Sequence, residues 1–231
     1  MILKLCVKEV LRFLLRVFYV FRVKSNRVLF ESYSGERICC NPFYIYDNIE
    51  KIVGSNVEIA WSVKPKCNNE YADIKCVKRF SLSYFKYLMT AKVYITNIGG
   101  YDYIPFRKTQ IVINTWHAGG AYKKIEKDFY DIGRCQWLYN RSILHFSKAT
   151  SYFLSSSYST TKCMSSAWNL HEDKFVKLGL PRNDVFFSAQ KMNELSNCIR
   201  DRFNIKQSDF VVLYAPTFRN TTSSPSYDWS L

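Results

Sequence analysis

Blocks of two hydrophobic periods alternate along the chain. Short runs rich in β-branched and aromatic residues, at Arg27–Tyr33, Val57–Val63, Ile74–Val77, Val93–Thr96, Ile111–Ile113, Ser151–Leu154, Lys174–Leu178 and Phe210–Tyr214, predict strands. Between them lie segments with helical spacing. Asn41-Pro42 reads as N-cap and first helical residue of a helix running through Phe43, Ile45, Tyr46, Ile49 and Ile52 to Gly54. Ser81–Ala91 follows, with Leu82, Phe85, Leu88 and Met89 expected inward, then Trp137–Ser147, Tyr158–Trp168 and the polar Ser188–Phe203. Strand followed by helix, repeated, predicts an α/β fold with a mainly parallel sheet wrapped by helices. Ligands of such sheets bind beyond the carboxyl ends of the strands.

The first 23 residues carry a different pattern. Lys4, Lys8, Arg12 and Arg16 recur every fourth position, drifting only about 40° per step on an α-helix, while Leu3, Val7, Val10, Leu11, Leu14, Phe18 and Phe21 fill the remainder. This predicts a basic amphipathic helix. No apolar run approaches the roughly 20 residues that cross a bilayer, so the helix is expected to lie in the interface with its cations on anionic headgroups, as in a peripheral membrane protein. The alternatives are packing on the body or against another subunit of a homo-oligomer.

Composition narrows the class. With 231 residues and 48% apolar content the chain can bury a sizeable core, and Lys+Arg 33 against Asp+Glu 19 leaves a net charge of +14. Such a surplus implies an acidic partner: nucleic acid, anionic lipid or a polyphosphate. The 8 cysteines include no CxxC pair and follow no secretory signal, which predicts reduced core thiols in a cytoplasmic protein. His145 and His171 have no cysteine at finger spacing, so no metal site is expected.

The chemistry is expected around Gln110–Asp128. Ile111-Val112-Ile113 reads as a buried strand, Trp116-His117-Ala118-Gly119-Gly120 as the turn that ends it, and the Lys-rich segment after it as a helix start. Gly119 and Gly120 would let the backbone approach a ligand, and the free N–H groups of that helix with Lys123 and Lys124 would favour an anion. His117 is either a base at a phosphate site or a buried histidine beside an ordinary turn. Asn97-Ile98-Gly99-Gly100 and Ser155-Ser156-Ser157 also follow strands; a turn and a helix cap are sufficient reasons for them.

The Trp116-His117 stretch is similar to the Trp-His motif of the CDP-glycerol glycerophosphotransferase family, which polymerises teichoic acids and related capsules. Gly179-Leu180-Pro181-Arg182-Asn183-Asp184 resembles its Gly-x-Pro-Arg-Asn-Asp segment, and Tyr214-Ala215-Pro216-Thr217-Phe218-Arg219 its Tyr-Ala-Pro-Thr-Phe-Arg strand, with Phe30-Glu31-Ser32-Tyr33 and Asn41-Pro42 extending the match toward the start. The resemblance implies a GT-B fold of two Rossmann-like domains. Residues 1–23 would be the membrane helix, 24–187 the acceptor-side domain, 188–209 a linker helix, and 210–231 the first strand of a truncated second domain.

It also implies a reaction. A polyol hydroxyl of a lipid-linked polyol-phosphate or glycan acceptor attacks the β-phosphate of CDP-glycerol, releasing CMP, with no cofactor. His117 would be the general base, while Gly119, Gly120, Lys123, Lys124, Arg182, Asn183, Asp184, Thr217 and Arg219 would bind substrate phosphate or brace the site. The work would take place at the cytoplasmic face of the cell membrane. Ala118-Gly119-Gly120 stands where many members have Gly-Thr-x, which keeps the small residues and loses a hydroxyl. The competing expectations are a non-catalytic membrane-binding module of the same fold and a nucleic-acid binder, and no nucleic-acid motif is recognised.

Overall fold

A computed structural model of the chain describes residues 2–54, 56–65, 73–120 and 123–214. Met1–Phe187 forms one compact unit and Ser188–Leu231 a second. The first is built on seven strands: β1 (Lys24–Glu31), β2 (Glu58–Val63), β3 (Cys76–Lys78), β4 (Ala91–Thr96), β5 (Ile111–Asn114), β6 (Tyr152–Leu154) and β7 (Phe175–Val176). Every neighbouring pair is parallel, in the order β3-β2-β1-β4-β5-β6-β7.

Side chains alternate faces along each strand, and each face has its own core. On one face Val28, Phe30, Trp61, Val63 and Ile95 pack with Ile49, Phe43, Ile45 and Tyr46 of α2 (Cys40–Val53); Phe30 and Trp61 stack at 5.1 Å. On the other, Leu29, Ala60, Tyr94, Val112 and Phe153 meet helices α3 (Leu82–Thr90), α4 (Gln136–Ala149) and α5 (Tyr158–Trp168). Burial on both faces is why the strands read as nearly continuous apolar runs. The α/β expectation is met.

Several local expectations are corrected. In α3, capped by Ser81, it is Tyr84, Tyr87, Leu88 and Met89 that are buried, and Leu82 is 80% exposed. Tyr84, in the same first turn, takes the core-facing position, which turns Leu82 to solvent. The strand expected at Lys174–Leu178 shortens to Phe175–Val176, and Phe210–Tyr214 is in no strand, since no ladder partner is present among the described residues. The second unit contains α6 (Ala189–Arg202), whose N-cap Ser188 accepts from the Lys191 N–H.

The N-terminal helix α1 (Ile2–Leu14), continued by a 3-10 turn at Leu15–Val20, is amphipathic, but its basic stripe is divided. Lys8 grips both carboxylate oxygens of buried Asp102 at 2.8 and 2.9 Å; Arg12, itself buried, donates to the Asp102 carbonyl oxygen and pairs with Glu9 at 2.6 Å. Lys8 and Arg12 therefore face the body, while Lys4 and Arg16 are exposed. Four equally spaced cations cannot all face outward when the helix is itself pinned by a buried carboxylate. The exposed side is apolar: Leu3, Val7, Val10, Leu14 and Val17.

Candidate functional site

In a parallel sheet every strand delivers its following loop to one edge. The strand order reverses between β1 and β4, the switch point at which sheets of this kind bind their ligands. Tyr33 follows β1 and Asn97 follows β4, and the Tyr33 N–H donates to Asn97 Oδ1 at 2.9 Å. β5, the next strand, ends at Asn114 and delivers Thr115-Trp116-His117 to the same place.

The turn there is tightly specified. Trp116 has φ +50°, a left-handed conformation that costs a non-glycine residue on the order of 1–3 kcal/mol and persists only when its surroundings hold it. Asn114 Oδ1 accepts from the Trp116 N–H at 2.8 Å, and Asn41 Nδ2 donates to the carbonyl oxygens of Thr115 and Trp116 at 3.1 and 2.9 Å. The indole packs against Phe153 and Trp168. His117 is thus held by its own backbone rather than by a glycine.

The imidazole is half-buried, its centre 4.5 Å from that of the tilted Trp116 ring and 5.7 Å from that of Tyr33. His117 Nδ1 lies 2.8 Å from the Asn97 carbonyl oxygen. A carbonyl oxygen can only accept, so Nδ1 carries the proton of the neutral ring and Nε2 keeps its lone pair. That is the tautomer a general base requires.

Arg182 arrives from the 3-10 segment Pro181–Phe187. Its Nη1 donates to the His117 carbonyl oxygen at 2.7 Å and toward Cys40 Sγ at 3.3 Å, and its backbone N–H donates to Asn41 Oδ1 at 3.2 Å. Asn41, fully buried, therefore ties the loop after β5 to the Arg182 turn through one side chain. It does this from inside α2 instead of capping that helix, which corrects the expected N-cap role.

A family model described as CDP-Glycerol:Poly(glycerophosphate) glycerophosphotransferase matches residues 13–231. The chain belongs to that family. Among its relatives, a teichoic acid poly(glycerol phosphate) polymerase of Bacillus spizizenii is 29% identical over 88% of this chain and 54% of the relative, and a teichoic acid glycerol-phosphate transferase of Staphylococcus aureus is 27% identical over 85% and 51%. The solved wall teichoic acid polymerase TagF, in a histidine variant soaked with CDPG, superposes with a TM-score of 0.79 at 27% identity, covering 92% of this chain and 53% of that one. This glycerophosphotransferase-family chain spans about half the length of these relatives.

The remaining expected site residues of this glycerophosphotransferase-family chain are dispersed. No helix begins at Lys123: residues 123–125 are irregular, a 3-10 turn occupies Glu126–Asp128, and α4 starts only at Gln136. The segment is drawn down because Ile125 packs on the core and Glu126 accepts from the Tyr139 hydroxyl at 2.6 Å. The expected helix-terminal anion site is therefore absent from the described residues there. Lys123 and Lys124 instead line a cavity of about 640 Å³ with Lys162, Asp128 and Ser166, a lining that does not include His117.

Gly119 has open space where a side chain would stand, and its carbonyl oxygen accepts from Ser156 Oγ at 3.0 Å. Asn183 and Asp184 are exposed beside Arg182; Asp184 borders an apolar cavity with Ile45, Leu154 and Pro181. Thr217 and Arg219 lie outside the described residues. Ser157 caps α5 by accepting from the Thr160 N–H. Tyr33, in the Phe30-Glu31-Ser32-Tyr33 match, and Asn97, in the glycine turn after β4, belong to the site though no role was assigned to them; Cys40 and Asn114 carried no motif, and the signal for them was only a helix start and a strand's carboxyl end.

Proposed function

We propose that this chain is the acceptor-side half of a glycerophosphotransferase of teichoic acid or capsule synthesis, moving a polyol phosphate unit from CDP-glycerol onto a lipid-linked acceptor. The observation that carries it is the Nδ1 bond of His117 to the Asn97 carbonyl, which leaves Nε2 free to take the proton of an acceptor hydroxyl as its oxygen attacks the β-phosphate. CMP departs with the bridging oxygen. Arg182 supplies a cation bonded to the His117 backbone, and Lys123, Lys124 and Lys162 form a second cationic surface fitted to the phosphates of a growing polymer.

The family and the relatives' names support this chemistry, and the CDPG soak of TagF supports the donor. The site belongs at the cytoplasmic face of the cell membrane. Among the described residues no helix is long and apolar enough to cross a membrane, and the exposed apolar row of α1, flanked by Lys4 and Arg16, suits an interfacial position. The test is CMP release from CDP-glycerol with a lipid-linked acceptor, with the rest of the family's length supplied from a relative. His117→Ala should abolish it while leaving the thermal unfolding midpoint within a few degrees of wild type; an unchanged rate removes His117 from the mechanism.

A further inference from the structure

Beside His117 the crevice holds a nucleophile that phosphate transfer does not use. Cys40 Sγ lies 3.6 Å from the Tyr33 hydroxyl and 3.3 Å from Arg182 Nη1, both donors. Asn97, fully buried, has an amide nitrogen with no hydrogen-bond partner among the described residues, and that side chain favours the ionised form of the same sulfur. The Asn41 N–H, at the start of α2, is a further donor. Cys40 itself has φ +62°, a conformation that favours glycine, so the sulfur is placed there against a backbone preference.

Donors reaching one sulfur from the loop after β1, from α2 and from the Arg182 turn suit an anion. A neutral thiol accepts such bonds only weakly. Burial pushes the Cys40 thiol up, but the bonds from Tyr33, Asn41, Asn97 and Arg182 outweigh it, and the thiol lies below its ordinary value. Its neighbour Cys39 is pushed up by burial and by Cys40, with Arg37 opposing. Tyr33 is pushed up to about 12, by burial first and then by Cys40, so its hydroxyl keeps its proton and remains a donor at neutral pH. Cys40 is half-exposed, within reach of a small reagent.

We propose that Cys40 is a covalent modification site in the wall of the His117 crevice, taking soft electrophiles of the low-molecular-weight disulfide class. The Cys40 sulfur attacks one sulfur of the disulfide, a new S–S bond forms as the old one breaks, and the other half leaves as a thiolate; no further oxidant is needed. The cations Arg182 and Arg37 favour an anionic member of that class. The adduct removes the sulfur partner of Arg182, whose same Nη1 holds the His117 carbonyl, so modification is communicated to the imidazole. This depends on the geometry around His117 and not on the reaction assigned to it.

The test uses the full chain and peptide-resolved mass spectrometry. Labelling by iodoacetamide is followed from about pH 6 to 9.5, spanning the ordinary thiol value near 8.5. Cys40 should label with a lower pH midpoint than exposed Cys163, and both Tyr33→Phe and Arg182→Met should raise that midpoint. Oxidised glutathione should add to Cys40, and the adduct should shift the NMR signal of the His117 ring, whereas an adduct at Cys163 should not. A Cys40 midpoint at or above that of Cys163, or one unmoved by either variant that stays folded, overturns the proposal. So does the absence of a glutathione adduct at Cys40 under conditions that label Cys163 to completion.

Discussion

Arg182 Nη1 donates to the carbonyl oxygen of His117 at 2.7 Å, joining two motifs that lie 65 residues apart. The bond fixes the Arg182 guanidinium against the backbone that carries the imidazole. Replacing Arg182 by Met should lower turnover by about 10- to 100-fold, since loss of a charged hydrogen bond is worth about 1.5–3 kcal/mol. Lys should restore little of it, because its flexible ammonium lacks the rigid planar guanidinium that aims Nη1 between the His117 oxygen and the Cys40 sulfur. Steady-state CMP release measures both.

Asn41→Ala should destabilise the first unit. The substitution removes the Asn41 bonds to the Thr115 and Trp116 carbonyls and to the Arg182 N–H, and the buried Thr115 carbonyl left without a partner costs about 1–3 kcal/mol by itself. Asn41→Asp should be as damaging, since it retains the acceptor and loses both donors. The unfolding midpoint in urea at constant m-value reports the change.

The N-terminal helix separates two roles that its sequence joined. Reversing Lys4 and Arg16 to Glu should weaken sedimentation with anionic liposomes and leave stability unchanged, because both are exposed. Lys8→Glu should instead lower the melting temperature, placing a second carboxylate against Asp102, which also accepts from Ser142. Equal losses of lipid binding in both variants, at equal stability, would contradict the pinned orientation.

Acid should act through Glu58. Burial raises its carboxyl, but Lys75 and Arg27 outweigh that and hold it at about 2, below the ordinary glutamate value. A depressed folded-state pKa contributes stability that is present above the unfolded value and is lost as pH falls from about 4.5 toward 2. The side chain is partly solvated, so the contribution is on the order of 1 kcal/mol or less. Glu58→Gln should be less stable than wild type at pH 7, with the difference closing over that window in thermal melts.

The sequence alone determined the α/β class and most strand and helix positions, because a sheet buried on both faces demands apolar runs and the helices between them demand a 3.6-residue stripe. It also determined that Trp116-His117 ends a strand and that Pro181-Arg182 forms a turn. Tertiary structure alone decided what these meet. Tyr33, Cys40, Asn41 and Asn97 join the site through bonds across chain separations of 64 residues and more, which no local period encodes. It likewise turned Lys8 and Arg12 toward Asp102, and drew Lys123 and Lys124 away from the expected helix start. The periodicity of a segment specifies which side chains share a face, whereas the buried partners available to that face specify which way it turns.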